Sequence, residues 1–186
     1  MKYITLLFFA LPSAIATIVP PSYLPPDDLY TIFNVGYGNR VLDDQGDFSP
    51  GRPIESKIRY PDSTSSNTKW LIRGVTFDET EGRNVSIRSQ DAERNNHDTG
   101  GFVGINGSDI IEHETAVDWG IVPVKDTKEQ FMIIKHGYAL SALPGSNNSD
   151  RWPLAAQEIN STNLFQQWVF VPMNQVLVYM SENNLV

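Results

Sequence analysis

The chain alternates short apolar runs with breaks of Gly, Pro, Asn, Asp and Ser. Val85-Ser86-Ile87-Arg88 puts apolar side chains on one face of a strand and polar ones on the other. "FMIIK" (131–135) and "QWVFV" (167–171) are continuous apolar runs of strand length, as expected of strands closer to a core. Helical periodicity is almost absent beyond the first residues, so the pattern predicts an all-β chain. The strand segments read in order as "LYTIFN", "NRVLD", "PIESKI", "KWLIRGV", "NVSIRS", "GFVGI", "DIIEHE", "DWGIVPV", "QFMIIKH", "YALSAL", "PLAAQ" and "QWVFV". A last run, "QVLVYM", reads as a strand-like tail.

Trp70, Trp119 and Trp168 stand 49 residues apart, in the matching contexts "KWLIRGV", "DWGIVPV" and "QWVFVPM". Two positions after each Trp comes Ile72, Ile121 or Phe170, and five after comes Val75, Val124 or Met173. Each unit opens with a strand carrying Ile32, Ile87 or Ile133; these are 55 and 46 residues apart, so loops absorb insertions while the Trp positions keep register. Three units of four strands close into a barrel with a hairpin cap, which removes open sheet edges. The expected fold is a β-trefoil, with one bulky ring per unit filling a layer of the shared core. The alternative is a β-sandwich in which the Trp spacing is coincidental.

The 186 residues suffice for one domain with a sizeable core. The 14 basic residues against 22 acidic ones leave a net charge of −8, which repels a phosphate backbone and argues against a nucleic-acid partner. "MKYITLLFFALPSAIA" has a basic start, a short apolar run and a small-x-small end, so residues 1–16 read as a signal peptide. Its removal takes only Lys2 among charged residues, leaving 13 basic against 22 acidic, or −9. No second long apolar stretch follows, so a secreted, extracellular protein without membrane insertion is expected. Residues 17–28, "TIVPPSYLPPDD", carry two Pro-Pro pairs and read as an extended N-terminal arm. The trefoil is assigned to residues 29–173 and a C-terminal tail to 174–186. With no Cys, packing alone must hold the fold. Asn84, Asn106, Asn147 and Asn160 head Asn-x-Ser/Thr tripeptides and are candidate glycan acceptors.

Candidate chemistry is sparse. There is no thiol nucleophile, no Gly-x-Ser-x-Gly and no His-Glu-x-x-His. In Glu112-His113-Glu114 the two carboxylates share one face of a strand and the imidazole the other, which reads as a solvated acidic strand rather than a metal site. The pairs Asp27-Asp28 and Asp43-Asp44 diverge in the same way, and "GYGNR" (36–40) reads as a hairpin turn. The expectation is a monomeric binding protein rather than an enzyme, with neither cofactor nor metal.

Two groups of β-trefoil proteins are resembled by these residues. "YTIFNVGYGNRVLDDQG" and "NTKW" resemble the opening and closing motifs of ricin-type lectins. That resemblance implies a sugar site in unit one, with Asp43 and Asn67 bonding hydroxyls and an aromatic ring as platform, Tyr60 being the nearest candidate. Thr68 replaces the family's Gln; Gly104 stands for the Asp in unit two, Ser141 for it in unit three, and Phe165 there for the Asn. A more diffuse likeness over residues 29–173 is to the fungal β-trefoil serine-protease inhibitors. It implies an exposed, substrate-like loop with a basic tip, for which Arg151, Lys57 and Arg59 are the candidates. The last loop before Trp168, "QEINSTNLFQQ", has no basic residue. The leading expectation is a protease inhibitor; the alternatives are a glycan-binding lectin with one site in unit one, and a secreted effector that holds another protein.

Overall fold

The computed structural model describes residues 25–46, 48–63, 65–78, 82–94, 100–127, 129–146 and 149–185. Its strands are β1 (Asp28–Asn34), β2 (Arg40–Asp43), β3 (Glu55–Ile58), β4 (Trp70–Asp78), β5 (Gly82–Ser89), β6 (Phe102–Asn106), β7 (Asp109–His113), β8 (Asp118–Pro123), β9 (Gln130–Lys135), β10 (Tyr138–Ala142), β11 (Arg151–Glu158) and β12 (Trp168–Pro172). Each falls on one of the apolar segments read from the sequence. Two short helices are added, α1 (Gln90–Arg94) and α2 (Val176–Glu182).

Strands β1, β4, β5, β8, β9 and β12 pair in a closed antiparallel ring, β12 returning to β1 with Ile32 opposite Phe170. The hairpins β2–β3, β6–β7 and β10–β11 form the cap, where β11 pairs with both β3 and β7 and Pro53 bridges to Ile111. This is a β-trefoil.

Ile32, Ile87 and Ile133 line the barrel with Trp70, Trp119 and Trp168, all fully buried. Each indole donates its N–H to a backbone carbonyl in its own unit's cap hairpin: Trp70 to Leu42 (2.9 Å), Trp119 to Val103 (2.8 Å) and Trp168 to Leu140 (2.9 Å). A buried indole needs such a partner. The repeated bond therefore ties each barrel strand to its hairpin and fixes which residues are equivalent between units.

Two expectations are revised. The repeat itself is looser than its pattern five residues after each Trp, where Val75 is half exposed beside a register shift between Gly74 and Thr76 while Val124 is buried. The tail is helical rather than strand-like. Val176 and Met180, four apart, both pack on Phe33, Val41, Val169 and Val171 on the outer barrel face, and Tyr179 meets Phe33 at 4.8 Å between ring centroids. Burial of one helical face thus overrides a run whose local composition suits a strand. The end of the arm is packed rather than free: Pro25 is buried, Tyr30 Oη donates to the Pro26 carbonyl (3.0 Å), and Arg83 pairs with Asp27. The signal peptide and the rest of the arm lie outside the described residues.

Candidate functional site

The Trp-bonded carbonyls of Leu42, Val103 and Leu140 are each followed by a position where a surface function could sit: Asp43, Gly104 and Ser141. In unit one, β2 ends at Asp43 and the chain turns through Gln45 (φ 65°) and Gly46 (φ 99°). Two successive side-chain turns hold it. Gln45 N–H donates to Asp43 Oδ1 (2.8 Å) and Gly46 N–H to Asp44 Oδ1 (3.0 Å). Asn67 lies in a 3-10 turn, Ser66–Thr68, tied to this corner by Asp44 N–H donating to the Asn67 carbonyl (3.1 Å). Asp43 and Asn67 therefore converge on one corner of unit one.

Neither is openly presented. Asp43 is 0 % exposed, and Arg151 Nε donates to its Oδ1 at 3.3 Å from the neighbouring β11. Burial raises the Asp43 carboxyl above the usual range, against the pull of Gln45 N–H and Arg151. Asp43 Oδ2 and Asn67 Oδ1 have no hydrogen-bond partner among the described residues. Tyr60 is about half exposed in the turn after β3. The structure brings Asp43 and Asn67 together and records no contact from Tyr60 to either.

The other two units lack the chemistry. A Cβ at Gly104 would meet His113 Cβ at 2.7 Å, so no side chain fits there without displacement. Ser141 is fully buried and donates to the Ala139 carbonyl (3.2 Å). The Phe165 ring stacks on Tyr37 (centroids 4.5 Å apart), which in turn meets Trp152 edge-on at 4.7 Å. Gln166, buried, clamps the loop that leads to its own turn: it accepts from Asn160 N–H (2.7 Å) and donates to the Glu158 carbonyl (2.9 Å). Its role is in the scaffold.

The inhibitory-loop candidates do not sit at an exposed loop tip. Arg151 opens β11 and faces Lys57 of β3 in register. Arg59 is 5 % exposed, and its Nη1 donates to Thr68 Oγ1 (3.1 Å). An inhibitor's loop must present an extended backbone and its basic side chain together at a free tip, whereas the backbone of Arg151 and Lys57 is paired within the sheet and Arg59 is buried. Of the glycan-acceptor candidates, Asn106 and Asn160 are exposed, Asn84 is partly buried inside β5, and Asn147 lies outside the described residues.

A second acidic corner was not legible as a cluster. Glu112 is 1 % exposed, not solvated, because Ile110 and Glu112 share the inward face of β7. Its Oε2 accepts Ser49 N–H (2.6 Å) and its Oε1 has no partner among the described residues. Asp44, also buried, accepts from the Ser89 hydroxyl. Burial pushes both carboxyls up to about 7; the charges of Asp43 and Asp91 add to this at Asp44, and those of Asp44 and Asp91 at Glu112. The two-residue step from Ile110 to Glu112 was the signal that could have revealed the inward carboxylate.

No protein-family model matches the chain, and no curated protein matches it in sequence. Solved structures do match in fold. The Rhizoctonia solani agglutinin is 24 % identical at a TM-score of 0.60, covering 80 % of this chain and 97 % of its own. A Macrolepiota procera ricin B-like lectin solved with lactose is 17 % identical at 0.59, covering 80 % and 98 %. A designed threefold-symmetric protein, ThreeFoil, is 16 % identical at 0.58, covering 78 % and 99 %. At these identities the likeness carries the β-trefoil fold alone.

Proposed function

We propose that this protein is a secreted, non-enzymatic lectin that binds a glycan at one site, in unit one, through Asp43 and Asn67. The observation that carries the reading is that these two residues, singled out by their resemblance to ricin-type lectins, each hold a buried acceptor without a donor, Asp43 Oδ2 and Asn67 Oδ1. Vicinal sugar hydroxyls are the donors that such a pair lacks. Arg151, one third exposed and held to Asp43 by a single 3.3 Å contact, swings outward to admit them. The lectins among the fold's solved neighbours support the same reading over protease inhibition. Secretion rests on residues 1–16 alone.

A hydroxyl bonded to a carboxylate contributes about 1.5–3 kcal/mol, so losing it weakens binding about 10- to 100-fold. A glycan array probed with the wild-type protein and with Asp43→Asn tests this. The expected result is binding by the first and its loss by the second, with unfolding curves showing that both are folded. An array silent for the wild-type protein, or unchanged binding by a folded Asp43→Asn, sinks the proposal.

A further inference from the structure

Helix α2 does not lie flat on the barrel along its whole length. Val176 and Met180 are buried against β1, β2 and β12, while the exposed Val178 and the Tyr179 ring, itself packed on Phe33, line a cleft. The cleft has a volume of about 350 Å³ and a floor that includes Phe131 and Phe170. A second cleft of about 380 Å³ adjoins it, and both are lined by Glu129, Tyr179 and Glu182. With Val169 they form the lining common to both clefts, here termed the waist. Glu129 stands just before β9 and Glu182 ends α2, so two carboxylates from different elements belong to that common lining. Neither forms an ion pair or hydrogen bond among the described residues, and no described Lys, Arg or His lines either cleft. Burial, and after it the charge of Glu129, raise the Tyr179 hydroxyl above its ordinary range.

We propose that this cleft binds a small organic cation, an amine or guanidinium carried on an aromatic or branched apolar body. The charge sits at the waist between Glu129 and Glu182, beside the Tyr179 ring, and the body lies against Phe131, Phe170 and Val178. The reasons are complementarity of charge and size. An apolar floor gains from any apolar body, but two carboxylates without a cationic partner among the described residues select one that carries a positive charge. The Tyr179 face adds a cation–π contact. The volume lies at the lower end of the range for small-ligand sites, about 300–1,000 Å³.

The probes are 2-phenylethylamine and its neutral counterpart 2-phenylethanol, titrated into the full-length protein at about pH 7 and followed by calorimetry and amide NMR. Both share the apolar body, and only the amine carries the charge. The amine is expected to bind at least about tenfold tighter than the alcohol and to shift the Val178 and Tyr179 amides. In Glu129→Gln/Glu182→Gln, whose two sites are exposed and should not disturb folding, that preference should vanish while the alcohol binds as before. Equal binding of the two probes overturns the proposal. So does absence of amine binding up to ~10 mM, or a preference that survives the double substitution.

Discussion

Glu112→Gln should stabilise the protein at neutral and alkaline pH and do almost nothing in acid. Glu112 is 1 % exposed and its carboxyl titrates at about 7 rather than the model-peptide 4.5. A carboxyl whose folded value is raised binds its proton more tightly in the native state. Its stabilising contribution is full below about 4.5, erodes as pH rises, and is gone above about 7. The gap of some 2.5 units corresponds to about 3 kcal/mol at ~1.4 kcal/mol per unit. The amide stays neutral throughout. Its oxygen still accepts Ser49 N–H. Urea unfolding of wild type and Glu112→Gln at about pH 4, 6 and 8 reads this directly. The variant should lead by up to about 3 kcal/mol at the highest pH, and the lead should close at the lowest. Asp44, likewise raised to about 7, adds a parallel decline to both chains. A lead independent of pH would refute the reasoning. So would a wild-type protein that gains stability between about pH 5 and 7.

Trp119→Phe removes the donor to the Val103 carbonyl and leaves space beside a smaller ring, which should cost about 2–4 kcal/mol in urea unfolding; a loss below ~0.5 kcal/mol would mean the indole bond is not a fixed part of the core. Gln166→Ala strips two loop-clamping bonds and should cost about 1–3 kcal/mol of stability while leaving glycan affinity unchanged. A folded Gln166→Ala chain with weakened glycan binding would return the sugar contact to unit three.

The fold was legible because three signals agreed: strand alternation, the Trp spacing and the turn residues between. The register needed only the Trp positions, since burial of each indole dictates which face of its strand is inside. The tail was misread because "QVLVYM" is apolar on every side over so few residues that periods of two and four fit equally. Packing of Val176 and Met180 on Phe33 decided it. The site was legible in part. Asp43 and Asn67 could be placed in one unit by motif, and their turns bring them together. That Arg151 would reach Asp43 from a strand 108 residues later in the chain was not visible. It follows from the pairing of β3 with β11, a contact between units one and three that the repeat pattern permits without specifying its side chains. Glu112 reads as solvated from its charge alone, whereas its parity with Ile110 puts it on the buried face of β7.

In all three units the indole is received by a main-chain carbonyl, not by a side chain. The bond itself therefore depends on no particular side chain at the residue that supplies the oxygen; packing sets that residue, and at Gly104 it also closes the next position to a side chain. Each unit can keep the indole bond while the next position carries a carboxylate, a hydrogen or a hydroxyl, as at Asp43, Gly104 and Ser141. On the proposed reading, a change at Asp43 would leave that bond in place, and a new polar side chain could be admitted at Ser141, where one is already accommodated, but not at Gly104, where His113 closes the space.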